Sequence, residues 1–213
     1  MSPVNGIDTK ELRDIVKIPD KLIHLVGERA DFDTYWMGMC YYVSVRSTCL
    51  DRQLGAVLVK DKALIGIGYN GAPKGVRDCI ERGLGCMREA ARTDKNDKMY
   101  HNCLATHAEA NAIVSVAFNG GAPTKDAIMY SIAFPCVDCT RLIINAGIKK
   151  IVYTEKLNNS AFSDQLLAEA GVETEMLDKA HVAAALYKSL EHLIRRDENG
   201  KSAGQELSEK EKA

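Results

Sequence analysis

The chain has 213 residues, 46% of them apolar and 27% charged, and a formal net charge of −1. That length and composition allow a buried core without disulfide staples, and they suit one domain with terminal extensions better than two full domains. The balanced charge excludes a global basic field, no apolar run approaches membrane-spanning length, and the N-terminus lacks a charged-then-apolar leader, so the expectation is a cytoplasmic protein with neither a nucleic-acid polymer nor a membrane as partner.

Residues 1–30 are mixed and polar around one short apolar run, Ile23 to Val26, and read as an N-terminal extension to a domain over 31–195. Across 33–47 apolar residues recur at helical spacing (Trp36, Met39, Cys40, Val43), which predicts a helix. Residues 54–59 and 64–69 read as strands around the turn Lys60-Asp61-Lys62, and 70–75, Asn-Gly-Ala-Pro-Lys-Gly, as a loop. Residues 76–106 form an irregular, polar insert containing Cys and His. Beyond it the pattern alternates. A helix over 107–118 ends at Gly120-Gly121; then come a strand at 127–132, a helix at 136–145 capped by Gly147, and a strand at 150–153. A helix at 161–169 with Gly171 behind it, a strand at 172–177 and a last helix at 179–195 complete the series. The charged tail 196–213 is expected to be disordered. Strands alternating with helices predict an α/β sheet covered by helices.

Two short motifs carry the chemistry: His107-Ala108-Glu109 and Pro135-Cys136-Val137-Asp138-Cys139, each at the start of a predicted helix. Seven cysteines are many for a reducing compartment, where clustered thiols mean metal or catalysis more often than disulfides. One imidazole and two thiolates are typical zinc ligands, and three protein ligands leave a fourth tetrahedral position for water. Cys136 and Cys139, three apart, share a helix face, and Pro135 fits a first helical turn. The positive helix ends favour thiolate over thiol. Glu109 lies two residues after His107, so its side chain diverges from the ligand and is free to move protons. Together these features match the signature of zinc deaminases, in which the glutamate is general acid and base and not a ligand.

From Val45 to Leu177 the chain resembles the deoxycytidylate deaminase family. The resemblance rests on the two motifs together with Arg46-Ser47-Thr48-Cys49, Gly55-Ala56-Val57, Gly68-Tyr69-Asn70-Gly71 with Pro73 and Gly75, Ala110-Asn111-Ala112-Ile113, and Ala146-Gly147-Ile148-Lys149-Lys150. It implies a three-layer α/β/α cytidine-deaminase-like fold around a five-stranded mixed sheet, and zinc-dependent conversion of deoxycytidylate to deoxyuridylate that feeds thymidylate synthesis. It further implies a homo-oligomer and control by deoxycytidine and thymidine triphosphates. Carried over to this chain, Asn70 is a candidate for the sugar or base and Ala108 for the substrate; Tyr153, at a strand end, is a candidate for the pocket wall, and Phe134, where the family often has a small polar residue, departs from the pattern and would reshape that wall. Arg46, Arg52 and Lys74 are candidates for the monophosphate. Some family members hold a second, structural zinc, and four of Cys49, Cys79, Cys86, His101 and Cys103 would fill such a site, with the choice between His101 and Cys103 open. Two other readings stay open: a deaminase of another nucleotide, such as deoxycytidine triphosphate or a modified deoxycytidylate, and a catalytically silent nucleotide-binding module. Glu109 speaks against the silent module, which needs no proton shuttle.

Overall fold

The structure is a computed structural model that describes residues 29–83, 85–90, 103–156 and 160–194. The expected N-terminal extension up to residue 28, the part of the insert at 91–102 with His101, and the tail from 195 lie outside the described residues. One compact unit runs from Asp31 to Lys179; helix α7 (Lys179–Ile194) belongs, from Ala180 on, to a second unit. No helix among the described residues is long and apolar enough to cross a membrane.

The main unit opens with α1 (Phe32–Ser44), whose N-cap Asp31 accepts a hydrogen bond from the Thr34 amide at 2.7 Å. The hairpin β1 (Gly55–Lys60) and β2 (Ala63–Tyr69) follows, turning through Asp61 and Lys62, both at positive φ. The insert is not wholly irregular: it holds two single-turn helices, α2 (Cys79–Arg82) and α3 (Met87–Ala90). A reciprocal capping box between Asp78 and Glu81 forms α2. Then come α4 (Ala108–Phe118), β3 (Ile128–Ala133), α5 (Val137–Asn145), β4 (Lys150–Glu155), α6 (Ala161–Glu169) and β5 (Glu173–Met176).

The strands form one five-stranded sheet in the order β2-β1-β3-β4-β5. Pairing is antiparallel from β2 through β1 to β3 and parallel from β3 through β4 to β5, so the sheet is mixed. The parallel half is built from two β-α-β crossovers, and β3 and β4 are buried almost throughout, as strands covered on both faces must be. Ala56 and Leu58 of β1, Met129 of β3 and Ile151 of β4 pack with Ala108, Ala112 and Val116 of α4, Ile143 of α5 and Leu167 of α6 in one apolar cluster. The alternate residues face α1: the Cys40 thiol donates to the Tyr130 carbonyl at 3.2 Å, and Gly55 lies under the Cys40–Ser44 backbone. The result is the three-layer α/β/α arrangement.

Glycine sets the spacing of the antiparallel half. A Cβ on Gly68 would lie 2.2 Å from the Ala108 carbonyl oxygen and 2.3 Å from the Ala112 nitrogen, both backbone atoms that have no rotamer to yield. We expect Gly68→Ala to lower stability by about 2 kcal/mol or more by overpacking, measured by urea denaturation. Because α4 must lift off β2, zinc affinity should fall with it. A variant of wild-type stability would show that the helix is not seated through this glycine.

Burial also leaves a pH signature. It pushes the Cys40 thiol well above its ordinary value of 9.0. Above pH 9 the unfolded chain releases that proton while the folded chain keeps it, so this contribution is intact at neutral pH and is lost as pH rises. The thermal midpoint should therefore fall more steeply above pH 9 in the wild-type chain than in Cys40→Ala, at a limit of about 1.4 kcal/mol per pH unit. Parallel slopes would refute the assignment.

Candidate active site

The two motifs meet where α4 and α5 begin. His107 is the N-cap of α4 and Cys136 the N-cap of α5, both with extended backbone (φ −70°, ψ 155° and φ −70°, ψ 170°). The expectation put both inside their helices; each helix instead begins one residue later. Pro135 accordingly precedes the N-cap and does not occupy the first turn. The strand end explains this: the Phe134 amide donates to the Glu155 carbonyl at 2.7 Å, and a residue before proline is held extended. Cys139 sits three residues into α5, so an N-cap and its third residue replace the shared helix face and still bring the two sulfurs to one side.

His107 Nδ1 lies 3.4 Å from Cys136 Sγ and 3.5 Å from Cys139 Sγ. The three donor atoms all fall within 4.8 Å of one another, and they are the one such group among the described residues. Bond lengths of about 2.3 Å to sulfur and 2.0–2.1 Å to nitrogen give tetrahedral N···S edges of about 3.5–3.6 Å. The observed spacings match, so the donor set fits zinc. The protonation pattern fits too. The Cys136 thiol is lowered to about 4, first by the hydrogen bond from Cys139 and then by that from His107. His107 is raised chiefly by that contact with Cys136, and Cys139 is raised by its hydrogen bond to Cys136 and by burial.

Glu109 stands apart from the donor set. It is 4% exposed, and its Oε2 accepts from Cys139 Sγ at 3.6 Å. Burial raises its carboxyl above the ordinary value. Ala108 is fully buried between it and His107.

Asn70 is buried, and its carbonyl end is committed: Oδ1 accepts from Ser47 Oγ at 2.7 Å and from the Leu54 amide at 2.8 Å. Its Nδ2 donates to the Arg52 carbonyl at 2.7 Å. Phe134 and Tyr153 are buried side by side, ring centroids 4.8 Å apart. Arg52 pairs with Glu155 at 3.1 Å, and Arg46 is exposed just beyond α1. Lys74 is not brought to the zinc ligands: its Nζ lies 4.2 Å over the ring of Phe118, at the far end of α4 from His107. Of the proposed second-zinc ligands, Cys49, Cys79, Cys86 and Cys103 are free thiols, and no three of them form a ligand group among the described residues.

Three residues that hold the site carry no role in the sequence reading, although Ser47 and Asn111 lie in segments that carry the resemblance. Glu155 is a lone charge with no local signal. Asn111 donates to the Tyr69 carbonyl at 2.7 Å, tying α4 to the end of β2. Asparagine inside a helix is a poor former, which was a usable signal.

A family model described as the cytidine and deoxycytidylate deaminase zinc-binding region matches residues 30–155. ComE operon protein 2 of Bacillus subtilis is 32% identical over 151 residues, covering 71% of this chain and 74% of that protein. Deoxycytidylate deaminase of Schizosaccharomyces pombe is 34% identical over 145 residues, covering 68% of this chain but only 44% of the yeast protein. The crystal structure of dCMP deaminase from cyanophage S-TIM5 in complex with dCMP and dUMP aligns with a TM-score of 0.57 at 25% identity, covering 70% of this chain and 99% of that one. The chain belongs to the cytidine and deoxycytidylate deaminase family.

Metal removal tests the centre directly. Chelation should lower the thermal midpoint of the wild-type chain and added zinc restore it, because a ligand that binds only the folded state stabilises it. Cys139→Ser should respond to neither treatment. A variant that holds zinc as well as the wild type would remove Cys139 from the centre.

Proposed function

We propose that this family member deaminates deoxycytidylate to deoxyuridylate and ammonia at the His107–Cys136–Cys139 centre. The observation that carries the reading is a buried carboxylate, Glu109, hydrogen-bonded to a member of a zinc-matched donor set without joining it. The names and the bound nucleotides of the relatives supply the substrate.

When bound, zinc supplies Lewis-acid activation of a water near neutral pH. Glu109 takes a proton from the water that attacks C4 of cytosine and places it on N3. It then carries a proton to the exocyclic amine, which departs as ammonia. Burial suits the carboxylate to both roles, since a raised pKa makes it a better proton acceptor and lets it hold the proton between steps. The same reading extends to provision of deoxyuridylate for thymidylate synthesis, control by deoxycytidine and thymidine triphosphates, homo-oligomeric assembly, a cytoplasmic setting, and a second structural zinc completed with His101 or Cys103.

The test follows loss of the cytosine absorbance from deoxycytidylate, with and without a zinc chelator. Chelator-sensitive conversion is expected. Glu109→Gln should keep its zinc and lose at least about 100-fold in kcat, the scale of general acid–base catalysis. Full activity in that variant would sink the mechanism, and zinc-loaded protein that leaves deoxycytidylate untouched would sink the substrate.

A further inference from the structure

A metal ligand has to be aimed as well as supplied. His107 is the N-cap of α4, where a side chain ordinarily bends back to accept from an amide of the first turn. It makes no such bond, because its ring faces Cys136 and Cys139. The backbone at His107 must therefore be fixed by another group, or the imidazole swings with it.

Asn111, one turn into the helix, supplies that group. Its main-chain amide donates to the His107 carbonyl at 3.0 Å, and its side-chain Nδ2 donates to the Thr106 carbonyl at 3.4 Å. These carbonyls belong to the two peptide units on either side of His107, so one residue grips the chain before and after the ligand. The same Nδ2 donates to the Tyr69 carbonyl at 2.7 Å, in the peptide unit that leads into Asn70. Gly71 and Thr106 exchange two backbone hydrogen bonds beside it, at 3.2 and 2.8 Å. The end of β2 and the entry to α4 thus meet at one carboxamide, with Asn70 on one arm and His107 on the other.

The joint has little room to move. A Cβ on Gly68 would lie 2.8 Å from the Asn111 carbonyl carbon, so the helix backbone at this residue rests on β2. The residue type is also specific. A carboxamide nitrogen carries two protons, one for each carbonyl, whereas a hydroxyl carries one and a carboxylate none. Asparagine is a poor helix former and alanine the best, so the residue stands here against local preference.

We propose that Asn111 is the positioning residue of this centre: its carboxamide aims His107 at the two thiols and locks the Asn70 loop to the same frame. It touches no reacting atom. Its effect on the metal follows from the His107 contacts alone. Its effect on substrate rests on the deaminase reading above, with Asn70 as the group that meets the sugar or base.

The experiment measures zinc affinity of full chains by competition with a chromogenic chelator, at a temperature where urea titration shows every variant folded. Asn111→Ala and Asn111→Asp should each weaken zinc about tenfold or more, the scale set by groups that orient a metal ligand without binding the metal. Ile151→Val, a methyl deletion at a fully buried position of β4, should lose stability and keep its zinc affinity. Zinc held by both Asn111 variants as tightly as by the wild type overturns the proposal. So does an equal weakening in Ile151→Val, which would make the effect one of stability alone. On zinc-saturated chains Asn111→Ala should raise KM for deoxycytidylate about tenfold with kcat little changed, because Glu109 keeps its place on α4 while the loop loses its tether. A fall in kcat with KM unchanged overturns the link to the loop. Wild-type protein that holds zinc and converts no deoxycytidylate sinks the deaminase reading, and the zinc comparison then decides on Asn111 by itself.

Discussion

The site depends on two hydrogens, those in the side-chain positions of Gly66 and Gly68. A Cβ at either would come within 2.8 Å of the α4 backbone, at the Ala112 carbonyl or at the Ala108 carbonyl and Ala112 nitrogen. At Gly68 the helix therefore rests on β2 backbone to backbone, while at Gly66 the Val116 side chain shares the contact. On the opposite face Gly55 admits α1 in the same way, beneath the Cys40 carbonyl. The hairpin is a thin spacer, and the first turn of α4 is registered to the sheet by main-chain contact. Side-chain packing tolerates adjustments of a few tenths of an ångström; main-chain contact tolerates fewer. That rigidity places His107 and Glu109 against residues contributed 29 and 30 positions later in the chain.

The second constraint is that the helices α4 and α5 start beside each other. Helix N-termini carry partial positive charge and unsatisfied N–H groups. Two of them converging would be unfavourable without negative charge between. The residues supplied there are a thiolate at Cys136 and a carboxylate at Glu109, and their environments push them in opposite directions. Cys136, exposed and hydrogen-bonded by its neighbours, is drawn down to about 4, whereas Glu109, fully enclosed, is drawn up. Neighbouring hydrogen bonds thus favour the charged form of one group, and burial disfavours the charged form of the other. The same pair of helix ends holds both groups, and their shifts differ because burial differs across only a few ångströms.

Much of this was legible in the chain. Apolar periodicity located every element of the main unit outside the insert, and turn residues placed their ends within a few positions. The misplacements have local causes. Helix α1 stops at Ser44, short of residue 47, because Val45 to Ser47 turn and Ser47 is recruited by Asn70. The ligands His107 and Cys136 sit at caps because a strand end and a proline keep the preceding backbone extended. Within the insert, the Asp78-x-x-Glu81 spacing was a helix-start signal that composition obscured. The His107–Cys136–Cys139 donor set was readable because chemistry restricts which residue types can hold a metal and the spacing is short. The roles of Glu155 and Ser47 were not readable, although Ser47 lies in a segment that carries the resemblance, because any strand end may carry a glutamate and any turn a serine. Their roles arise from the pairing of β3 with β4 and from the loop that returns to β1, which is a matter of topology.

Asn70 shows how these two kinds of residue are joined. Its side chain satisfies the Leu54 amide at the entry to β1, takes the Ser47 hydroxyl, and holds the Arg52 carbonyl. Both acceptor sites of its oxygen are used, and one of its two amide protons. Among the described residues that leaves a single donor uncommitted, on a group whose orientation three partners fix. Backbone pairing of Gly71 with Thr106 then sets this amide one residue from the strand of contacts that ends in His107. An aspartate in its place could not donate to Arg52, and a serine could not span the three partners. The residue types of the His107–Cys136–Cys139 donor set follow from coordination chemistry; the residue type at position 70 follows from having to satisfy a buried loop on three sides.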